Sequence, residues 1–74
     1  MSRRPDPVHA RFGARIRELR NRRGLSQETL AAEAGIHRTY VGGIEVGLRN
    51  PSLKNIARLA RALRVPLKDL FEGV

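Results

Sequence analysis

Residues 26 to 45 read SQETLAAEAGIHRTYVGGIE, and this stretch decides how the chain can fold. Ser26 is a good N-cap for a short helix over 27–34, and Glu28 lies in the first turn, where the helix dipole favours a negative charge. Gly35 can adopt the positive φ of a sharp turn, and a second short helix follows over 38–45. The stretch therefore predicts two short helices joined by a tight glycine turn.

Side-chain size supports the same arrangement. Ala31 lies where a larger side chain would push the second short helix away, and Val41 and Ile44 can anchor that helix to a core. The order of these features, rather than any one of them, indicates a helix-turn-helix motif.

The segment before this motif predicts another helix. Four apolar residues recur there at spacings of four, four and three: Val8, Phe12, Ile16 and Leu19. This periodicity predicts an amphipathic helix over 7–23 that Gly24 can end. A separate basic stripe runs along the same helix: Arg11, Arg15 and Arg22.

Two helices are predicted after the motif. Ser52 can cap a fourth helix over 53–64, and Pro66 begins a last short helix over 67–72. No segment shows the alternation of a strand. The predicted fold class is all-α, a compact bundle of five helices over 7–23, 27–34, 38–45, 53–64 and 67–72.

The domain organisation follows from length and composition. Residues 1–6 include two arginines and Pro5, and we expect a short flexible basic arm there. Residues 7–74 contain no linker and form one domain. A chain of 74 residues is near the lower limit for a core without metals or disulfides, so a second subunit would help.

The charge balance indicates the kind of partner. The net charge is +8, the sequence pI is about 11.7, and thirteen of the fifteen cationic residues are arginine. Such an excess favours a polyanionic partner, although a basic solvated surface is the alternative. Charge alone does not choose between DNA, RNA and an acidic membrane.

Composition also argues against several classes. The chain has no cysteine, and its two histidines, His9 and His37, belong to no metal or nucleophile constellation. No apolar run approaches the roughly 20 residues of a membrane span, and the N-terminus lacks the apolar middle of a signal peptide. We expect a cytoplasmic protein that is not an enzyme, with no metal, cofactor, membrane partner or small-molecule ligand.

The helix over 38–45 has two distinct faces at about 100° per residue. Tyr40, Val41 and Ile44 cluster on one side, and the opposite side carries Arg38, Thr39, Gly42 and Gly43. The N-terminal end of such a helix can meet base edges in the major groove. The two glycines can let the backbone approach DNA closely; the alternative is that packing simply tolerates them on a solvated face.

From Phe12 to Phe71 the sequence resembles the lambda-repressor and Cro-like helix-turn-helix family, also called the XRE family. The matching landmarks are IRELRNRRGLSQETLA, AGIHRTYVGGIE, GLRNPSL and IARLARALRVPLKDLF. RTYVGGIE followed by a loop with RNPS is especially similar to the controller proteins of restriction-modification systems. The resemblance implies a sequence-specific transcription regulator that binds double-stranded DNA at a palindromic operator, as a homodimer with the third helix in the major groove.

The resemblance also implies roles for individual residues. Gln27 matches a glutamine that touches phosphate and supports the reading side chains, and with Arg38 and Thr39 it forms the expected base-contacting set. An arginine at position 38 can bind guanine O6 and N7, worth about 1 to 3 kcal/mol of discrimination. Tyr40 can donate to a phosphate, although a buried ring with a solvated hydroxyl is the alternative. Backbone contacts are expected from the loop and the residue that caps the next helix: Arg49, Asn50 and Ser52.

Arg20 and Glu45 match a pair that forms a salt bridge in some family members; the alternative is a half-exposed pair. Two positions depart from the family pattern. His37 leaves it undecided whether a side chain caps the third helix, and Val46 removes an expected polar contact to DNA. Five apolar residues are expected at a dimer interface, unless they close the core of the single chain: Leu63, Val65, Leu67, Leu70 and Phe71.

Three other functions compete with this interpretation. The same fold can serve as an antitoxin or adaptor that binds proteins, although the chain ends at Val74 without an additional tail for a partner. A prophage repressor is a further alternative. RNA binding is disfavoured because the chain lacks the exposed aromatics that stack single-stranded bases.

Overall fold

A computed structural model of the chain describes residues 4–74; the first three residues of the predicted arm lie outside the described residues. The described chain contains four α-helices followed by one 3-10 helix: α1 Pro7–Arg22, α2 Gln27–Ala34, α3 Arg38–Glu45, α4 Leu53–Leu63 and the C-terminal 3-10 helix Leu67–Phe71. Residues 4–74 form no strand, and the predicted all-α class is confirmed. The described helices pack into a single compact body.

The prediction of five α-helices is wrong for the last one. Leu67–Phe71 is a five-residue 3-10 helix, and its N-cap, Pro66, makes no side-chain hydrogen bond. Its backbone bonds include Asp69 N–H to the Pro66 carbonyl at 3.0 Å, a three-residue span. Such short pieces favour the tighter 3-10 form, because nucleation of an α-helix is costly.

α4 ends one residue earlier than predicted. Arg64 has φ 59°, the only positive φ outside glycine among residues 4–74. The Val65 amide donates to the Ala60 carbonyl at 3.1 Å, which closes the helix in a Schellman-type turn. Glycine is the usual residue at this position, so the sequence offered no stop signal. α1 likewise ends one residue earlier than predicted, at Arg22.

Side chains cap the N-terminus of each α-helix. Ser26 Oγ accepts from the Thr29 amide at 3.0 Å, and Ser52 Oγ accepts from the Asn55 amide at 3.1 Å. His37 caps α3, because its Nδ1 accepts from the Thr39 amide at 3.1 Å. The departure at His37 therefore retains the capping function.

Asp6, the last residue of the predicted arm, is the N-cap of α1. Its carboxylate accepts from the Val8 amide at 2.8 Å and from the His9 amide at 3.4 Å. These backbone hydrogen bonds lower the pKa of the Asp6 carboxyl. Asp6 thus stabilises the start of α1.

The core is almost entirely aliphatic. Seven fully buried side chains form its centre: Ile16, Leu30, Val41, Ile44, Leu59, Leu63 and Leu70. Leu63 and Leu70 are only 2% and 0% exposed. The expectation that these two leucines lie at a dimer interface is wrong, because the core of the single chain already buries them.

Close backbone packing joins α1 to the end of α3. A Cβ at Gly13 would lie 2.6 Å from the Glu45 carbonyl oxygen, and it would also contact the Ile44 carbonyl. A Cβ at Gly47, where φ is 80°, would lie 2.7 Å from Ala10 Cα. Only glycine permits this approach. The C-terminal end of α3 is thereby fixed on α1, and the start of α3 is left free of that contact.

Arg15 ties the C-terminal 3-10 helix to α1. It was predicted in a separate basic stripe with Arg11 and Arg22, but it is only 9% exposed. Its Nε donates to the Asp69 carbonyl at 2.7 Å, and its Nη2 lies 2.9 Å from Glu72 Oε2. Nη1 bonds to Glu18, and this hydrogen bond lowers the pKa of the Glu18 carboxyl. Arg15 is a structural residue rather than part of the basic surface.

Candidate nucleic-acid interface

α3 turns one face inward and leaves the other open. Val41, Ile44 and Glu45 are buried, whereas Arg38 and Thr39 are exposed at the N-terminal end. The Arg38 side chain is 66% exposed, and its Nη1 lies 3.9 Å from Glu28 Oε2, a long and solvated contact. The guanidinium is therefore free to bind another group.

A cleft separates α2 from the exposed face of α3. It is lined by Ser26, Gln27, Glu28, Arg38, Thr39 and Gly42. The structure thus brings together the three residues expected to contact bases, although Gln27 and Arg38 lie on different helices. A second shallow surface continues from Thr39 along the glycines to Arg49.

A buried ion pair underlies the cleft. Arg20 Nε donates to Glu45 Oε2 at 2.7 Å, and Nη2 donates to Glu45 Oε1 at 3.1 Å. The two side chains are 12% and 2% exposed. The hydrogen bonds to Glu45 raise the pKa of the Arg20 guanidinium. Of the two alternatives for this pair, the structure has the buried one, and it joins α1 to α3.

The same carboxylate also orients Gln27. Gln27 Nε2 donates to Glu45 Oε1 at 3.0 Å, and a Cβ at Gly42 would lie 3.7 Å from Gln27 Oε1. The amide nitrogen therefore contacts the ion pair, and the amide oxygen faces α3. Arg20 also donates through Nη1 to the Leu25 carbonyl at 2.7 Å, just before α2. One network thus fixes α1, α2 and α3 relative to one another.

The two glycines of α3 have different surroundings. A Cβ at Gly42 would make only an ordinary contact with Gln27. A Cβ at Gly43 would lie 2.5 Å from Arg49 Cγ, because the Arg49 side chain lies across that glycine. The expected bare strip of backbone is therefore present at Gly42 but covered at Gly43. A different physical reason is needed for the second glycine.

Arg49 lies in the loop after α3, close to Tyr40. Its guanidinium carbon is 5.8 Å from the centre of the Tyr40 ring, within the range of a cation–π interaction. Tyr40 is half-buried, and its ring packs against the core. The exposed Val46 lines the same surface as Arg49 and contributes no polar group there.

Asn50 and Ser52 stand apart from this surface. Asn50 lines a different groove, which has an apolar wall that includes Val8, Phe12 and Phe71. Ser52 is exposed, but its Oγ already caps α4. Nothing in the geometry joins these two residues to Arg38 and Thr39 in one continuous cleft.

The remaining residues expected at a dimer interface lie at the C-terminal end. Leu67 and Phe71 are 44% and 46% exposed, and Val65 is half-buried against the core. The Phe71 ring is 5.5 Å from the Phe12 ring, centre to centre. Leu67 and Phe71 therefore present apolar surface that the described chain leaves open.

Sequence reasoning missed two features of this site. The hydrogen bond from Gln27 to Glu45 was not predicted, because an 18-residue separation between two polar residues gives no local signal. The position of Arg49 over Gly43 depends on the path of the loop. The steric need for Gly43 appears only when both residues are placed.

Residues 4–74 contain no cluster of three or more His, Cys, Asp or Glu side chains that could hold a metal ion. None of the helices in that part of the chain combines the length and the hydrophobicity of a membrane span.

Comparison with known proteins gives the family. A match to the helix-turn-helix family HTH_3 spans residues 16–70. Control protein C.BamHI of Bacillus amyloliquefaciens is 47% identical over 62 residues, which cover 82% of this chain and 76% of that protein. Control protein C.MunI of Mycoplasma sp is 38% identical over 68 residues, which cover 90% of this chain and 92% of that protein.

A solved structure gives the same result. The restriction-modification controller protein C.AhdI from Aeromonas hydrophila superposes with a TM-score of 0.84 and 56% sequence identity, over 85% of this chain and 96% of that one. The all-helical fold described above is thus similar to that of a controller protein. The chain belongs to the HTH_3 helix-turn-helix family, the XRE-type family that its sequence resembles.

Proposed function

We propose that the protein is a cytoplasmic, sequence-specific transcription regulator that binds double-stranded DNA with α3 in the major groove. The observation that carries the proposal is the cleft in which Arg38, Thr39 and Gln27 meet. Two of these residues are exposed at the start of α3, and the buried Arg20–Glu45 pair fixes the helix beneath them. The net charge of +8 supplies the electrostatic attraction to DNA.

Arg38 and Thr39 read base edges in this proposal. A guanidinium can donate two hydrogen bonds to guanine O6 and N7, and a hydroxyl can donate or accept. Gln27 stands beside them with its amide fixed by Glu45. A preorganised group loses less conformational entropy on binding, which favours a defined base preference.

Other residues bind the DNA backbone. Arg49 is exposed beside α3, and its charge suits a phosphate. Asn50 and Ser52 follow in the same loop and are exposed. Contacts of this kind set the register of the helix on the duplex but carry no base preference.

The functional unit in this proposal is a homodimer. The exposed apolar side chains of Leu67 and Phe71 bury each other across a two-fold axis, with Val65 at the edge. A symmetric dimer places two copies of α3 about 34 Å apart, one turn of DNA, and therefore requires a palindromic operator. The small size of the chain adds to the benefit of a shared core.

The regulated system in this proposal is a restriction-modification operon. Its support is the similarity to the control proteins C.BamHI and C.MunI and to the controller protein C.AhdI. A regulator of this size without a ligand responds to its own concentration, because dimerisation and DNA binding are both concentration-dependent.

Selection of bound sequences from a random duplex library tests the proposal. We expect enrichment of one two-fold symmetric sequence, with half-sites separated by one turn of DNA. Binding of the selected duplex should exceed that of a scrambled duplex by at least roughly a thousandfold at physiological salt. Failure to enrich any sequence, with equal affinity for all duplexes, would contradict sequence-specific recognition.

A further inference from the structure

Gly43 lies in the middle of the eight-residue helix α3, where glycine is a poor helix former. Its backbone is helical, and it is not among the glycines with positive φ. Backbone conformation therefore gives no reason for glycine at this position. The reason must lie in the space that a side chain would occupy.

Arg49 occupies that space. A Cβ on Gly43 would lie 2.5 Å from Arg49 Cγ, 3.2 Å from Nε and 3.4 Å from Cδ. Carbon atoms in contact prefer separations of about 3.5 to 4.0 Å. The aliphatic part of the Arg49 side chain is thus packed directly on the helix backbone, which only glycine allows.

The far end of the same side chain has a second support. The Arg49 guanidinium carbon lies 5.8 Å from the centre of the Tyr40 ring. Tyr40 lies about one helical turn before Gly43 in α3. In the part of the chain that the structure describes, Arg49 takes part in no salt bridge or side-chain hydrogen bond. Its N–H groups are therefore available to an anion.

We infer that Gly43 and the Tyr40 ring form a platform that holds Arg49 beside α3, ready to bind a DNA phosphate. Gly43 then acts through Arg49, and not through contact of its own backbone with DNA. This inference rests on the proposed function. An arginine held in place before binding loses less side-chain entropy when it meets the phosphate, so the platform increases DNA affinity.

Gly42 provides a matched comparison within the same helix. A Cβ there would lie 3.7 Å from Gln27 Oε1, which is an ordinary contact. Alanine increases helix propensity equally at positions 42 and 43. If the effect of Gly43→Ala on DNA affinity depends on Arg49 and that of Gly42→Ala does not, the difference reflects the side chains around each glycine. It does not reflect a change in helix propensity.

The test is a double-mutant cycle on the full chain. Wild type, Gly43→Ala, Arg49→Ala and the double variant are titrated onto the selected duplex and onto a scrambled duplex, across a series of salt concentrations. Circular dichroism establishes that each variant is folded. Gly42→Ala, alone and combined with Arg49→Ala, is measured in parallel.

We expect Gly43→Ala to weaken binding to both duplexes by a similar factor, on the order of tenfold. The slope of log affinity against log salt should fall by about 1.8, since each half of the dimer loses one phosphate contact worth about 0.9, as it does in Arg49→Ala. In the Arg49→Ala background, Gly43→Ala should change affinity less than about twofold. Any effect of Gly42→Ala should persist in that background.

Independent effects of Gly43→Ala and Arg49→Ala in the double variant would overturn the inference, and so would wild-type affinity of Gly43→Ala. Unchanged binding by Arg49→Ala would also overturn the inference. The proposed function would still stand in each of these cases, provided that the wild type prefers the selected duplex to the scrambled one. If the wild type itself prefers no duplex, the proposed function fails together with the inference.

Discussion

Arg20 of α1 and Glu45 of α3 form a bidentate ion pair: Arg20 Nε lies 2.7 Å from Glu45 Oε2, and Arg20 Nη2 lies 3.1 Å from Glu45 Oε1. Because Gln27 of α2 donates to the same carboxylate, Glu45 holds three helices at once. When a planar guanidinium and a planar carboxylate form both hydrogen bonds, neither group can rotate much relative to the other. Glu45 therefore adds to the backbone packing at Gly13 in fixing the angle at which α3 leaves the core.

Replacing Glu45 should be costly. Glu45→Ala leaves the Arg20 charge partly buried without its partner, and removal of one member of a buried pair costs about 3 to 5 kcal/mol. The free energy of unfolding, measured with urea, should fall by this amount. The control is Glu28→Ala, which removes an exposed acid and should cost less than about 1 kcal/mol. Equal losses in the two variants would show that the ion pair does not stabilise the fold.

Arg38 and Arg49 should have separable effects on DNA binding. Arg38→Ala should cost about 1 to 3 kcal/mol in each half-site of the selected operator and relax preference at one base pair there. Arg49→Ala should weaken binding to operator and random DNA about equally, because phosphate contacts carry no sequence information. Titrations of both variants on both duplexes measure this. The same operator-to-random ratio in the two variants would refute the division of roles.

The dimer should depend on Leu67. Leu67→Asp places a charge on the proposed apolar interface, so we expect a monomer in analytical ultracentrifugation. DNA affinity should fall by on the order of tenfold or more, because two linked recognition helices bind far better than one. Leu53→Asp is the control, since Leu53 is 76% exposed at the start of α4 and lies outside the proposed interface. A Leu67→Asp protein that sediments like the wild type would disprove this interface.

The Asp6 cap should make stability depend on pH in the acid range. Hydrogen bonds from the Val8 and His9 amides lower the pKa of Asp6 in the folded protein. The folded form therefore binds the proton more weakly than the unfolded form does. The contribution of the carboxylate is present above the unfolded pKa, about 3.9, and is lost as the pH falls through the lower folded value.

Urea denaturation of wild type and Asp6→Ala across this range checks the sign. The wild type should be more stable near neutral pH, and the difference should shrink in acid. Asp6→Asn is the control, because asparagine can cap the helix without titrating. A difference that stays constant, or grows, as the pH falls would contradict a role for the ionised cap.

Local signals in the sequence predicted much of this fold. Ser26 and Gly35 fixed the bounds of α2, since a capping hydroxyl and a glycine that accepts positive φ act within a few residues. The inward position of Val41 and Ile44 likewise followed from helical spacing. Gln27, Arg38 and Thr39 were grouped from the family resemblance, and the structure lines one cleft with them.

Features that depend on distant partners could not be predicted in this way. Arg15 matched a basic stripe by spacing, but its partners, the Asp69 carbonyl and Glu72, lie at the other end of the chain. Leu70 is apolar whether it faces a second copy or the core of its own chain. Arg64 adopts a conformation usually reserved for glycine, and no local pattern marks it. Each required the three-dimensional arrangement.

The surface that meets DNA can be located directly by NMR, with isotope-labelled protein titrated with the selected duplex. A rival basic surface exists on the outer side of α4, where Arg61 and Arg64, the residue directly after the helix, are exposed. We predict that the largest chemical-shift changes fall on the cleft and the start of α3, at Gln27, Arg38 and Thr39, with small changes along α4. The largest changes on Arg61 and Arg64, with α3 unaffected, would contradict recognition by α3.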